Sequence, residues 1–169
     1  MATSKTGNGD AAKGNPEQSP PLQVHVAAQY IKDFSFENPN VDRLLDGPGD
    51  NPNLKLEVNV DANKMGDELY ESAIHFKALA TNKEGTIYEI ELVYAGLFRV
   101  KNIPKDALEP FLLINAPSLI FPFVRRLVAD ISREGGFPPL LLDPVDFGSL
   151  YVQRQQSGAK PAAVQENVS

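Results

Sequence analysis

The eight residues Leu54-Lys55-Leu56-Glu57-Val58-Asn59-Val60-Asp61 alternate apolar and polar side chains without a fault. Such a period of two places every apolar side chain on one face, a pattern that suits a strand with one side on a core and the other in water. Sheets wetted on one side are antiparallel. Such a strand needs hydrogen-bonding partners beside it and a cover over its apolar face.

Partners lie on both sides. The stretch Leu22 to Glu37 reads as extended, most clearly from Tyr30 to Glu37. There Phe34 and Phe36 point one way, and Asp33, Ser35 and Glu37 the other. Asn38 to Asn53 holds Pro39, Gly47-Pro48-Gly49 and Pro52 and reads as a long loop. Ala62 to Asp67 reads as a turn region. A third strand is expected over Glu68 to Thr81, with Tyr70, Ile74 and Phe76 opposite Glu71, His75 and Lys77. Asn82 to Gly85 forms a hairpin loop. The fourth strand, Thr86 to Val100, carries Tyr88, Ile90, Leu92 and Tyr94 on one face and Glu89 and Glu91 on the other.

After Val100 the period turns helical. Pro104 to Ile114 reads as a short helix or turn. Ser118 is the expected N-cap of a longer helix ending near Glu134 at Gly135-Gly136, with Pro122 in or near its first turn. Leu119, Ile120, Phe123, Val124, Leu127, Val128 and Ile131 cover well over a third of its circumference. That exceeds what a helix lying on one sheet needs. Phe137 to Leu142 must be extended. Asp143-Pro144 is read as the cap and first residue of a last helix to about Gln156. Strands followed by helices define an α+β domain, spanning 22–156, between polar tails 1–21 and 157–169 that read as disordered.

Charge and composition narrow the function. The chain carries −6 in 169 residues. Between Leu22 and Glu91 it has 13 acidic and 6 basic residues, against 6 acidic and 7 basic between Leu92 and Gln156. Nucleic acid demands the opposite distribution, so a basic protein patch is the better partner. With no cysteine, thiolate metal sites and cysteine nucleophiles are excluded. Only His25 and His75 are present, far apart, so catalysis is not expected. Gly135-Gly136 follows a helix instead of opening one and is a stop signal, not a phosphate loop. Residues 1–21 lack a signal-type apolar run, and no run of some 18 apolar residues occurs. A cytoplasmic protein without direct membrane insertion is the expectation.

Three segments resemble the SecB family of bacterial export chaperones. They are Tyr30 to Asn40 (YIKDFSFENPN), Tyr94 to Phe98 (YAGLF), and Ala116 to Arg125 (APSLIFPFVR) continued by Gly136 to Leu140 (GFPPL) and Pro144 to Phe147 (PVDF). Order and spacing hold from about Leu22 to Gln156. The resemblance implies a four-stranded antiparallel sheet with Greek-key connection, helices packed on one face, and a homotetramer built as a dimer of dimers. It implies a protein that holds unfolded precursors translocation-competent and delivers them to the SecA translocation ATPase, with no cofactor and no metal.

The resemblance also assigns surfaces. SecA docking maps to Asp33, Glu37, Glu89 and Glu91, all opposite the large apolar residues of their strands. Client binding maps to Leu54, Leu56, Val58, Phe147, Leu150 and Tyr151, which compete with the core for the same chemistry. The family's frequent aromatic before the second strand is missing here; Leu44 and Leu45 are the substitutes. Surplus apolar surface at Ile90, Leu92, Tyr94, Leu127 and Ile131 is the expected oligomer interface. Two other readings stand beside this one. One is a SecB-like chaperone dedicated to a toxin–antitoxin pair; the other is a small α+β ligand-binding domain.

Overall fold

In the computed structural model, residues 19–47 and 52–158 are described. The two tails expected to be disordered lie almost wholly outside them. Four strands, β1 (Gln23–Glu37), β2 (Asn53–Gly66), β3 (Leu69–Asn82) and β4 (Gly85–Lys101), form one sheet in the order β1-β4-β3-β2. Every neighbouring pair is antiparallel. Three strands run on as hairpins, and the long 38–52 connection carries the chain from β1 across to the far edge, the Greek-key arrangement. Within that connection Val41–Leu44 forms a 3₁₀ turn. Asn40 Nδ2 donates to the Thr86 carbonyl at 3.0 Å and ties the loop to the β3–β4 hairpin.

The expected turn at Ala62 to Asp67 is mostly strand. β2 continues to Gly66, and the reversal is made by Asp67 and Glu68 alone, with Glu68 left-handed at φ 57°. The sequence conceals this because Ala62-Asn63-Lys64 breaks the apolar alternation while still pairing with β3.

Alternation decides the layers. Ile74, Phe76 and Ala78 of β3 and Ile90, Leu92 and Tyr94 of β4 lie on the helix side and are buried with Ile120, Val124 and Val128. Gly96 permits close packing here. A Cβ at this position would lie 2.6 Å from the Phe98 ring and 3.1 Å from Ile120 Cγ2.

The helical segment corrects the expected boundaries. Helix α1 (Lys105–Pro110), a π-helical turn (Phe111–Asn115) and helix α2 (Ala116–Glu134) run on without a break. Ser118 is inside this helix, with its hydroxyl on the Ile114 carbonyl at 2.5 Å, and caps nothing. Pro122 is likewise interior. A proline removes an N–H that the helix would use. In the π turn the Ala116 N–H reaches back five residues to Phe111. The next donor in that pattern would be at Pro117, which has none. The carbonyl left over, Leu112, accepts instead from the buried Ser72 hydroxyl of β3 at 2.8 Å.

The run Lys105–Glu134 has the length and apolarity to cross a membrane. One stripe of it, Ala116, Ile120, Val124, Val128 and Ser132, is buried on the sheet. A neighbouring stripe at the same four-residue spacing, Leu119, Phe123, Leu127 and Ile131, is half-buried or exposed.

The last helix, α3 (Phe147–Ser157), is capped by Asp146, not by Asp143. The Asp146 carboxylate accepts from Ser149 N–H at 3.0 Å and from its hydroxyl at 2.7 Å. Those bonds hold the carboxyl below the usual range. The chain from Leu142 to Asp146 therefore lies outside any helix or strand.

Candidate functional site

Three surfaces are built on this frame. The first is an open cavity of about 270 Å³ between β2 and α3. Leu56 and Val58 form its floor with Phe76; Phe121 and Leu142 lie behind; Val145 and Leu150 close the α3 side. The carboxylates of Asp143 and Asp146 stand among these lining residues.

Two devices hold the far wall. Ser132, fully buried on α2, donates its hydroxyl proton to the Val128 carbonyl at 2.9 Å and accepts the Leu140 N–H at 2.8 Å. Phe147 packs edge-on against Phe121, ring centres 5.8 Å apart.

Of the residues expected to bind clients, Leu56, Val58 and Leu150 meet at this cavity. Phe147 is buried and anchors α3 in the core. Leu54 and Tyr151 are half-buried and outside the cavity lining. Phe76, Phe121 and Leu142 were not foreseen. Phe76 shares a face with Val58, its cross-strand partner, so strand pairing would have revealed it.

The second surface is the opposite side of the sheet. Pairing sets Glu37 beside Glu89 and Ser35 beside Glu91, with Asp33 one row on beside Val93. The four expected carboxylates are thus neighbours. Sequence reading missed their counter-ion. Lys77 of β3 places Nζ 2.6 Å from a carboxylate oxygen of both Glu89 and Glu91. Those two bonds push its pKa above the usual lysine value. Asp33 and Glu37 have no ion pair among the described residues.

Farther along the same face Glu71 is almost fully buried. Burial pushes its pKa up, but bonds from Lys32 (2.8 Å) and the Tyr30 hydroxyl outweigh that and leave it lowered. The Tyr30 hydroxyl, desolvated and beside this carboxylate, is pushed up to about 12.

The third surface is apolar, and here an expectation fails. Ile90 and Leu92 were expected between subunits, yet both are fully buried under α2 of their own chain. Tyr94 is nearly so, with its ring stacked on Phe123 at 6.3 Å and its hydroxyl donated to Gln29 at 3.3 Å. The alternation was read correctly, but the subunit's own helix covers that face.

What stays uncovered lies beside it. Val24, Val26, Ile31 and Phe34 of β1 pair with Val100, Phe98, Tyr94 and Leu92 and so share the helix-side face. All four are exposed, as are Leu119 (52%) and Phe123 (45%) on α2, where Leu127 and Ile131 continue the stripe.

The family model described as preprotein translocase subunit SecB matches residues 16–158. A protein-export protein SecB from Bradyrhizobium sp. is 46% identical over 158 residues, covering 94% of this chain and 96% of its own length. Another from Xanthobacter autotrophicus is 46% identical over 143 residues, 85% of this chain and 92% of its own. Among solved structures, a SecB-like chaperone from Mycobacterium tuberculosis in complex with a ChAD peptide from an antitoxin aligns with a TM-score of 0.57. That alignment is 14% identical and covers 72% of this chain and 90% of the other. The likeness to that structure is one of fold.

Proposed function

The chain belongs to the SecB family of protein-export chaperones, and from that premise we propose how its surfaces divide the work. The cavity between β2 and α3 is a stretch of the groove that takes apolar segments of unfolded precursors. The carboxylates at Asp33, Glu37, Glu89 and Glu91 form the dock for the SecA translocation ATPase. The exposed apolar surface of β1 and α2 joins copies of the chain into a dimer of dimers in the cytoplasm, without cofactor or metal and without nucleic acid or membrane insertion.

One observation carries this reading. The apolar cavity and the acidic patch lie on opposite faces of the same sheet, even-numbered positions of β2 and β3 serving one and odd-numbered positions of β3 and β4 the other. A chaperone that delivers cargo must hold it while the receiving motor docks, and two faces of one rigid sheet permit both at once. Charge agrees: a basic surface of the motor would relieve repulsion between the neighbouring carboxylates.

Assembly rests on uncovered apolar area. An edge strand exposing Val24, Val26, Ile31 and Phe34 beside Leu119 and Phe123 is a liability for a monomer and is removed by pairing with a second copy. The reading as a chaperone dedicated to a toxin–antitoxin pair has less support. The relatives at 46% identity are export proteins, whereas the antitoxin-bound neighbour is 14% identical. A small-molecule domain would need a closed pocket, and this one opens along an edge strand.

The test replaces Asp33 and Glu91 with lysine together. Calorimetry at low salt should show SecA binding lost, while retention of an unfolded precursor is unchanged. Unchanged SecA affinity removes the acidic face from the proposal.

A further inference from the structure

Glu71 faces away from the helices, opposite Ile74 and Phe76 of its own strand, yet it is only 3% exposed. Its cover comes from the edge strand β1. Tyr30 and Lys32 reach across β4 to β3, the Tyr30 hydroxyl donating to one carboxylate oxygen and Lys32 Nζ lying 2.8 Å from the other. Ala95 of β4 stands in the pairing between Tyr30 and Ala73, and neither alanine is long enough to block that path. Asn63 of β2 donates to the same carboxylate from the other neighbouring strand.

In β1, Ile31 pairs with Tyr94 and Asp33 with Val93, so Lys32 is the surplus residue of a bulge. Adjacent residues of a regular strand face opposite ways. Here Lys32 and Asp33 both face away from the helices, Lys32 toward Glu71 and Asp33 toward the carboxylates of the acidic patch. A lysine beside an aspartate on one face is its ready counter-ion. Asp33 nevertheless has no ion pair among the described residues, and its Oδ1 accepts the Phe34 N–H at 3.0 Å. The reason is competition. A buried carboxylate left unpaired costs far more than an exposed one, so Glu71 outcompetes Asp33 for the ammonium. Asp61 also attracts Lys32, but its carboxylate is bonded to His75 Nε2 at 2.8 Å.

We propose that Glu71 is a positioning residue for the acidic dock: by binding Lys32 it withdraws a cation that the bulge sets beside Asp33, and so leaves the Asp33 charge free for a basic partner. This rests on the reading of Asp33 as part of the SecA dock and adds to it a buried group that keeps the dock charged.

The experiment measures SecA affinity of the full-length protein by calorimetry at low salt, where such pairs are least screened, with circular dichroism and precursor retention as checks on the fold. Asp33→Asn should weaken binding; if it does not, the dock reading falls and this inference with it. Glu71→Gln releases Lys32 to Asp33 and should weaken SecA binding about threefold, the scale of one exposed ion pair, with precursor retention unchanged. Adding Lys32→Gln should restore the affinity, and in an Asp33→Asn background Glu71→Gln should have no effect. Asp61→Asn removes the same charge from the same face without freeing Lys32, and should change the affinity less than Glu71→Gln does. A Glu71→Gln effect that is absent, that Lys32→Gln does not reverse, that survives Asp33→Asn or that Asp61→Asn matches overturns the role of Glu71 and leaves the dock standing. Where Glu71→Gln does not fold, Lys32→Gln alone decides. Unchanged affinity supports the withdrawal of this lysine, and a gain of about threefold or more shows that it already neutralises Asp33 and overturns the proposal.

Discussion

Lys77 lies at the centre of the acidic face, and its removal makes a quantitative test of that face. The four carboxylates Asp33, Glu37, Glu89 and Glu91 with the Lys77 ammonium carry −3; Lys77→Gln leaves −4. Both pairs are short at 2.6 Å, but Lys77 is 41% exposed, so solvent screens them. Exposed pairs contribute roughly 0.2–1 kcal/mol each, so the variant should lose no more than about 2 kcal/mol of stability. The gain is on the other side. A basic partner no longer has to displace an internal cation, and two carboxylates become free to meet it. A rim charge acts mainly on association rate, so SecA should bind roughly two- to tenfold tighter. The salt dependence should also be steeper than for the unmodified chain. Stopped-flow association and calorimetry at two salt concentrations read both quantities. If Lys77→Gln folds normally yet binds SecA equally or more weakly, while Asp33→Lys weakens binding, the lysine is part of the dock and not its internal counter-charge.

Three further outcomes follow from the geometry. Ser132→Ala leaves the Leu140 N–H without its acceptor and should cost about 1–3 kcal/mol in urea unfolding at fixed protein concentration, with weaker precursor binding because the groove wall loosens; an unchanged midpoint would contradict this. Phe123→Asp places a charge in the exposed apolar stripe and should shift light scattering toward smaller species, whereas Leu92→Asp, beneath the helix, should unfold the subunit. Glu71 has a folded-state pKa lowered from the ordinary 4.5. It therefore contributes stability above that value and loses it as pH falls through the lower folded value. Glu71→Gln should flatten the acid limb of the stability profile, and a limb of unchanged slope would refute the assignment.

Much of this was legible because the information is local. Perfect alternation in β2 and the opposed faces of β3 and β4 are properties of eight to fifteen adjacent residues, and the structure keeps them. The long helix was not legible as one element, since Ser118 read as an N-cap with Pro122 near the first turn, which left Pro104 to Ile114 as a separate short helix or turn. What rescues continuity is a serine forty residues upstream, Ser72, whose bond to Leu112 no local rule anticipates. The groove and interface suffered from a related ambiguity. Alternation shows that Ile90 and Leu56 leave the solvent side but not what meets them there. For Ile90 it is the chain's own helix; for Leu56 it is a cavity. Lys77 was visible as a basic residue on an acidic face, but only the β3–β4 register sets it between two glutamates.

The register of β1 has a consequence of another kind. It slips twice against β4, between Val26 and Ala28 and between Ile31 and Asp33, while β3 and β4 stay in step from Leu69 to Ala80. Each slip holds one surplus residue and reverses which side the following residues face. The edge strand therefore contains a slot for length variation that the centre lacks. Deleting Ala27 would remove one bulge and leave Val26 opposite Phe98 and Ala28 opposite Leu97. Deleting one residue midway along β4 would turn half of the buried face outward. Single-residue insertions and deletions should be tolerated near Ala27 at the periphery and eliminated from the central pair, so this edge can change length while the sheet behind it cannot.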